Sequence, residues 1–190
     1  GAPTPSKPES DPNVAHVRVV ALSDFHGWLS PLEPNNYSRY FGGLANLAGT
    51  LAHRDGLNSA NSIIVDNGDM WTGPTESTLL RGESGVEAYN ALGVTAANVA
   101  NHEFDFGKEI LRARAAEAKF PFLGANIFRA GTAEHPSFLK PYILTEREGV
   151  KLGVIGLSYI GTPQTTLAKH VADLEFKDYG ESLKAILPKV

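Results

Sequence analysis

No cysteine occurs among the 190 residues, which excludes disulfides, thiolate-bound zinc and cysteine nucleophiles and leaves the redox compartment unmarked. A basic excess is also missing. Seventeen Lys and Arg face twenty-one Asp and Glu, a formal charge of −4, so the footprint expected of a duplex nucleic-acid partner is absent. A small anionic substrate fits this balance, because bound cations can dominate a local field in an acidic protein. Apolar runs are short, and none reaches the roughly 18–20 residues needed to cross a bilayer, so no transmembrane segment is expected. The opening GAPTPSKPESDP lacks the apolar core of a signal peptide. Its Pro and Ser content reads as a flexible leader over residues 1–14, left after removal of a signal or lipid anchor, although Gly1 equally fits a cloning remnant. On this basis the protein is expected to be secreted, periplasmic or at the cell surface.

What is present suits one ordinary core: 42% of residues are apolar, and the length allows a single domain over residues 15–190. Val17–Leu22 is a β-branched run of the kind buried on both faces, so it is expected to form a central parallel strand. Residues 27–42 read as a loop. Leu44, Leu47 and Leu51 then recur at helical spacing. A second strand is expected at Ser62–Val65, followed by a helix that opens on the capping pattern Ser84-x-x-Glu87 and ends at Gly93. Strands at 95–100 and 120–125 flank a helix over 108–118. Tyr142–Thr145 and Lys151–Leu157 read as a hairpin around Glu146-Arg147-Glu148-Gly149. A late helix over 179–187 is capped by Asp178 and stopped by Pro188, and Lys189-Val190 resembles the start of a further strand. The fold class is α/β: a layered sandwich, mainly parallel with some antiparallel strands, incomplete at the C-terminus.

Three polar clusters follow the first three strands, where open α/β sheets hold their ligands. In Ser23-Asp24-Phe25-His26-Gly27, alternation along extended backbone allows Asp24 and His26 to converge on one cation. A loop-capping Asp beside a surface His explains the same residues. In Asp66-Asn67-Gly68-Asp69, Gly68 permits close backbone approach to a ligand, but Asn-Gly is also a hairpin signal. In Asn101-His102-Glu103-Phe104-Asp105, the Asn oxygen suits a hard or borderline cation, and His102 with Asp105 can form an oriented acid/base pair. Alternatively, Asp105 caps the helix from Lys108. His16, His53, His135 and His170 lie outside these clusters and read as surface or packing residues.

In this order, the three blocks resemble the signatures of the calcineurin-like metallophosphoesterases. The full Asn-His-Glu-Phe-Asp, with FPFLGANI at 120–127 and GVIGL at 153–157, is similar to the 5′-nucleotidase branch, and the similarity spans about residues 16–187. The resemblance implies that Asp24 and His26 hold one metal, that Asp69 bridges two, and that Asn101 ligates the second. His102 would act on the phosphate, oriented by Asp105. The cofactors implied are two divalent ions, with Zn, Mn, Mg, Fe and Ca not distinguished. A water activated by both ions would be the nucleophile, and the substrate a nucleotide, as in a 5′-nucleotidase or a 2′,3′-cyclic phosphodiesterase. Ala100 stands where the family usually has glycine.

The family also draws histidine ligands from a later Gly-His pair and a His-x-His motif, and recognises base and sugar with a separate C-terminal domain. None of these occurs here, so a missing C-terminal half or a partner chain would be needed to complete the site. The alternative expectation is a catalytically incomplete fragment, or a non-enzymatic binding or assembly domain that retains the fold.

Overall fold

A computed structural model describes residues 14–32, 41–54 and 57–190. The leader expected over residues 1–14 therefore lies almost wholly outside the described residues, as does much of the loop expected at 27–42. Four parallel strands form the central sheet in the order β1 (Arg18–Leu22), β2 (Ser62–Asp66), β3 (Ala96–Asn98) and β4 (Phe122–Leu123). Every step moves one place in the same direction, so all strands point their carboxyl ends to one rim of the sheet. The crossovers carry α1 (Leu44–Gly49), which runs on as a π-helical stretch Thr50–Arg54, then α2 (Thr75–Leu79), α3 (Glu83–Leu92) and α4 (Lys108–Glu117).

β2 is apolar and buried along most of its length. β1, read as central from its Val-rich sequence, instead lies at the sheet edge, with Val19 58% exposed. It pairs only with β2 among the described residues, so β-branched composition there reflects strand propensity more than burial. The core lies between sheet and helices: Ile64, Ala97, Val99 and Phe122 from the strands and their exits meet Val86, Tyr89 and Leu111 from α3 and α4. Met70 and Trp71, which follow β2, are completely buried in it.

Two antiparallel pairs complete the chain. β6 (Tyr142–Arg147) and β7 (Val150–Ile155) form the expected hairpin. Its strands run closer together than the charged stretch suggested, and the turn is only Glu148-Gly149, both at positive φ (53° and 75°), as a primed two-residue turn requires. The hairpin is fastened to the sheet where Arg147 Nε–H donates to the Ser62 carbonyl at 2.8 Å. β5 (Ile127–Arg129) pairs with β8 (Leu174–Phe176) across a long excursion that includes α5 (Thr162–Thr165) and α6 (Ala168–Val171). α7 (Tyr179–Ile186) follows, with the Asp178 carboxylate accepting from Gly180 N–H and Glu181 N–H, as the sequence suggested. α7 ends at Ile186, ahead of Pro188 as expected, and Leu187–Lys189 form a final 3-10 turn, whereas Lys189-Val190 was expected to open a strand.

Candidate metal centre

The three polar clusters leave the same rim of the sheet, and backbone hydrogen bonds join the loops of the first two. Asp24 N–H donates to Gly68 O at 3.1 Å and His26 N–H to Asp69 O at 2.9 Å. These bonds demand unusual backbone. Asp24, His26, Asp69 and Thr72 all sit at positive φ (53°, 47°, 58° and 72°), a conformation that costs a non-glycine residue on the order of 1–3 kcal/mol and concentrates at functional sites. The Asn67-Gly68 pair is not a hairpin turn, because β2 is flanked by parallel strands on both sides. Gly68 is needed for packing as well as for its φ of 104°: a Cβ there would stand 2.7 Å from the Ala100 methyl and 2.8 Å from the Ala100 nitrogen. The extra methyl at position 100 thus occupies the space that Gly68 leaves open.

One ligand atom from each of His26, Asp69 and His102 lies within 4.8 Å of the others, and all three residues are half-buried. The His26 and His102 rings meet edge to face, 4.9 Å between centroids. His26 Nδ1 lies 3.0 Å from the Thr72 carbonyl oxygen; a carbonyl only accepts, so Nδ1 donates this bond and Nε2 is the nitrogen turned to the site. A ring oriented by a backbone carbonyl at its far nitrogen is the usual state of a metal-binding histidine. His102 Nδ1 bonds the Asp105 carboxylate at 2.7 Å, which likewise frees Nε2. Burial disfavours the His102 charge, but Asp105, backed by Asp69 and Glu103, raises its pKa above the ordinary value. Asp69 Oδ1 accepts His102 N–H at 3.1 Å.

Asp24 does not join the close triple; its carboxylate accepts from the neighbouring Ser23 hydroxyl and is exposed. Asn101 is half-buried at the start of the 3-10 turn His102–Phe104. Asp105 does not cap α4, whose N-cap is Gly107 with no side-chain bond. His16 and His53 are exposed. His135 bonds the Ile127 carbonyl and stacks on Phe128, and His170 bonds the Phe104 carbonyl.

Two buried carboxylates carry more of the local structure than their sequence suggested. Glu103, 1% exposed, accepts from Asp69 N–H (3.1 Å), Met70 N–H (2.7 Å) and Ala100 N–H (2.7 Å). Burial pushes its carboxyl up to about 7 against those three donors. Asp66 accepts from Gly68 N–H and the Tyr89 hydroxyl, both at 2.7 Å, and burial raises it too. Glu103 has no periodicity or spacing to mark it as interior; its place beside His102 is its one signal in the sequence. Behind the site, the amide of Asn98 donates to the Asn67 and Leu157 carbonyls, which ties the second loop to the segment after β7.

The donor set fits a divalent ion of hard or borderline character: an oriented imidazole, carboxylates, an amide oxygen and no sulfur. A cavity of about 520 Å³, lined by residues such as Arg112, Lys119, Phe120 and Lys140, opens near the start of β4 and contains none of these groups. Among the described residues, no helix is long and apolar enough to cross a membrane.

No family model matches the chain. It is 31% identical over 179 residues to Protein UshA of Salmonella pullorum, and 27% identical over 179 residues to a 5′-nucleotidase of Vibrio cholerae. Each alignment covers 92% of this chain but 31% of the relative, so the chain spans about a third of their length. Among solved structures, the calcineurin-like phosphoesterase YfkN of Bacillus subtilis superposes with a TM-score of 0.74 at 25% identity, over 92% of this chain and 58% of that one. Over most of its length the chain is thus a homologue of UshA and the 5′-nucleotidases and carries the calcineurin-like phosphoesterase fold.

Proposed function

We propose that this chain supplies part of the site of a metal-dependent phosphoester hydrolase acting on nucleotides, of the 5′-nucleotidase or 2′,3′-cyclic phosphodiesterase type. The observation that carries the reading is the meeting of His26, Asp69 and His102 within 4.8 Å from three separate strand exits. The names of the relatives supply the substrate class. Asp24, His26, Asp69 and Asn101 would hold two divalent ions, whose identity is not assigned. When bound, such ions acidify a water and polarise the phosphoryl oxygens.

The chain's own residues do the rest. Asp105 fixes the His102 ring through Nδ1 and leaves Nε2 to donate a hydrogen bond, or a proton, to the oxygen on which charge develops. The acidic neighbours that raise the His102 pKa favour the protonated form this role requires. Further ligands from a C-terminal half or partner chain are part of the proposal. Export from the cytoplasm is part of the reading, supported by a relative at 26% identity that is named as a cell wall protein of Listeria monocytogenes.

Metal content and hydrolysis of an aryl phosphate, measured together in Mn²⁺, test this reading. The chain alone is expected to bind weakly and hydrolyse little, and to gain turnover when the missing segment is supplied. Asp69→Asn should lose the metal, whereas His102→Ala should keep it and lose turnover by about 10²–10⁴-fold once the site is complete. Absence of both metal binding and turnover with every segment present would favour the binding or assembly reading.

A further inference from the structure

We infer that Glu103 is a positioning residue for the proposed metal centre: its buried carboxylate clamps the backbone on either side of the ligands, through the N–H groups of Asp69, Met70 and Ala100. The inference rests on the metal reading above and assigns how that site is held. Glu103 is 1% exposed, and among the described residues its recorded hydrogen bonds come from three main-chain amides, two in the loop after β2 and one at the exit of β3. A carboxylate buried without a paired cation is costly, and an apolar residue would fill the volume without that cost. What it provides is a fixed relation between two loops.

Oε2 receives both Asp69 N–H and Ala100 N–H, while Oε1 receives Met70 N–H, so one rigid group spans the second and third clusters. Asp69 is held in left-handed backbone by Glu103 at its nitrogen and by His26 N–H at its carbonyl. Its Oδ1 accepts His102 N–H, so the carboxylate too is tied to the third cluster. Ala100 precedes Asn101 directly, so the same carboxylate sets the start of the third cluster. Gln at 103 keeps the size but turns one acceptor into a donor facing an N–H, so the clamp loses at least one of its three bonds.

The test compares Mn²⁺ affinity of the wild-type chain, Glu103→Gln and Leu111→Ala by titration well below the unfolding temperature of each. Leu111 is fully buried in the core on α4 and serves as a stability control. Glu103→Gln is expected to bind Mn²⁺ at least about tenfold more weakly, and Leu111→Ala to remain within about twofold of wild type despite its lower stability. Affinity of Glu103→Gln within twofold of wild type would overturn the inference, as would an equal loss in Leu111→Ala.

Should Glu103→Gln fail to fold, the wild type carries the test by itself: Mn²⁺ should slow hydrogen exchange in peptides covering residues 67–72 and 98–103, because coupling between clamp and ion is reciprocal. Unchanged exchange in both peptides while Mn²⁺ is bound would overturn it. A wild type that binds no Mn²⁺ even when the completing segment is supplied overturns the metal reading and the positioning role together. Loss of exchange protection at those amides in Glu103→Gln would then mark a clamp with no ion to serve.

Discussion

Single atoms decide the geometry at the rim of the sheet. The contact between Gly68 and Ala100 joins two of the three clusters: a side chain at 68 would need the space the Ala100 methyl fills, and would also have to adopt φ 104°. Gly68→Ala should therefore destabilise the fold by about 1–3 kcal/mol from backbone strain, with a steric contribution added. Ala100→Gly in the same chain should recover only the share due to the methyl contact, since the left-handed backbone and the 2.8 Å approach to the residue-100 nitrogen remain. Denaturant unfolding of both single variants and the double variant measures the coupling; strict additivity would mean the two residues do not meet. At this scale the sequence was half legible. The polar clusters at the strand exits drew notice because three occurred in order, and the His102–Asp105 pair follows from a spacing of three. Glu103 was not legible, because two of the three amides that hold its buried carboxylate come from Asp69 and Met70, 34 and 33 positions away, and no local pattern records them.

Elements show the same division between local and distant causes. Asp178 capping α7 depends on a few consecutive residues and could be read directly, whereas the hairpin turn was read over residues 146–149 and is confined to Glu148-Gly149 because Glu146 and Arg147 pair with Lys151 and Val150. The capping box at Ser84 was misplaced: α3 starts at Glu83 behind Gly82, which takes the left-handed conformation at φ 82° and begins the helix before Ser84 can act. β5 and β8 each have three residues, too few for a periodic signal, and exist because they pair with each other. The tie between α3 and β2 offers a prediction at this scale. Tyr89 on α3 donates to Asp66 at the end of β2, so Tyr89→Phe should cost about 1.5–3 kcal/mol at neutral pH, the usual loss for a hydrogen bond to a charged group. Burial already raises the Asp66 pKa, and the Tyr89 donor opposes that rise, so the variant raises it further. A carboxyl whose folded pKa lies above its unfolded value weakens the fold once pH exceeds that value, and the penalty fades as the group takes up its proton. The difference between Tyr89→Phe and wild type should therefore be greatest near pH 7 and shrink on acidification; a difference independent of pH would show that Asp66 stays in one protonation state.

At the scale of the whole molecule, the metal centre and the stability of the fold should be linked. The strained residues Asp24, His26, Asp69 and Thr72 raise the energy of the folded state, and like charges add to this: Asp24 and Asp69 both bear on Asp66, and Asp69 bears on Glu103. A divalent ion among these groups offsets that repulsion only in the folded chain, because only folding brings the strand exits together. At a hundredfold excess of free ion over the dissociation constant, mass action adds about 2.7 kcal/mol. For a chain of this length that corresponds to a rise in Tm of roughly 5–10 °C. Thermal scans in increasing Mn²⁺ should show this rise, chelator should reverse it, and Asp69→Asn should abolish most of it while unfolding at a similar temperature to wild type in chelator. A Tm that stays level across the titration, with the completing segment also supplied, would mean that the three strand exits assemble without an ion to hold, and the hydrolase reading would lose its physical basis.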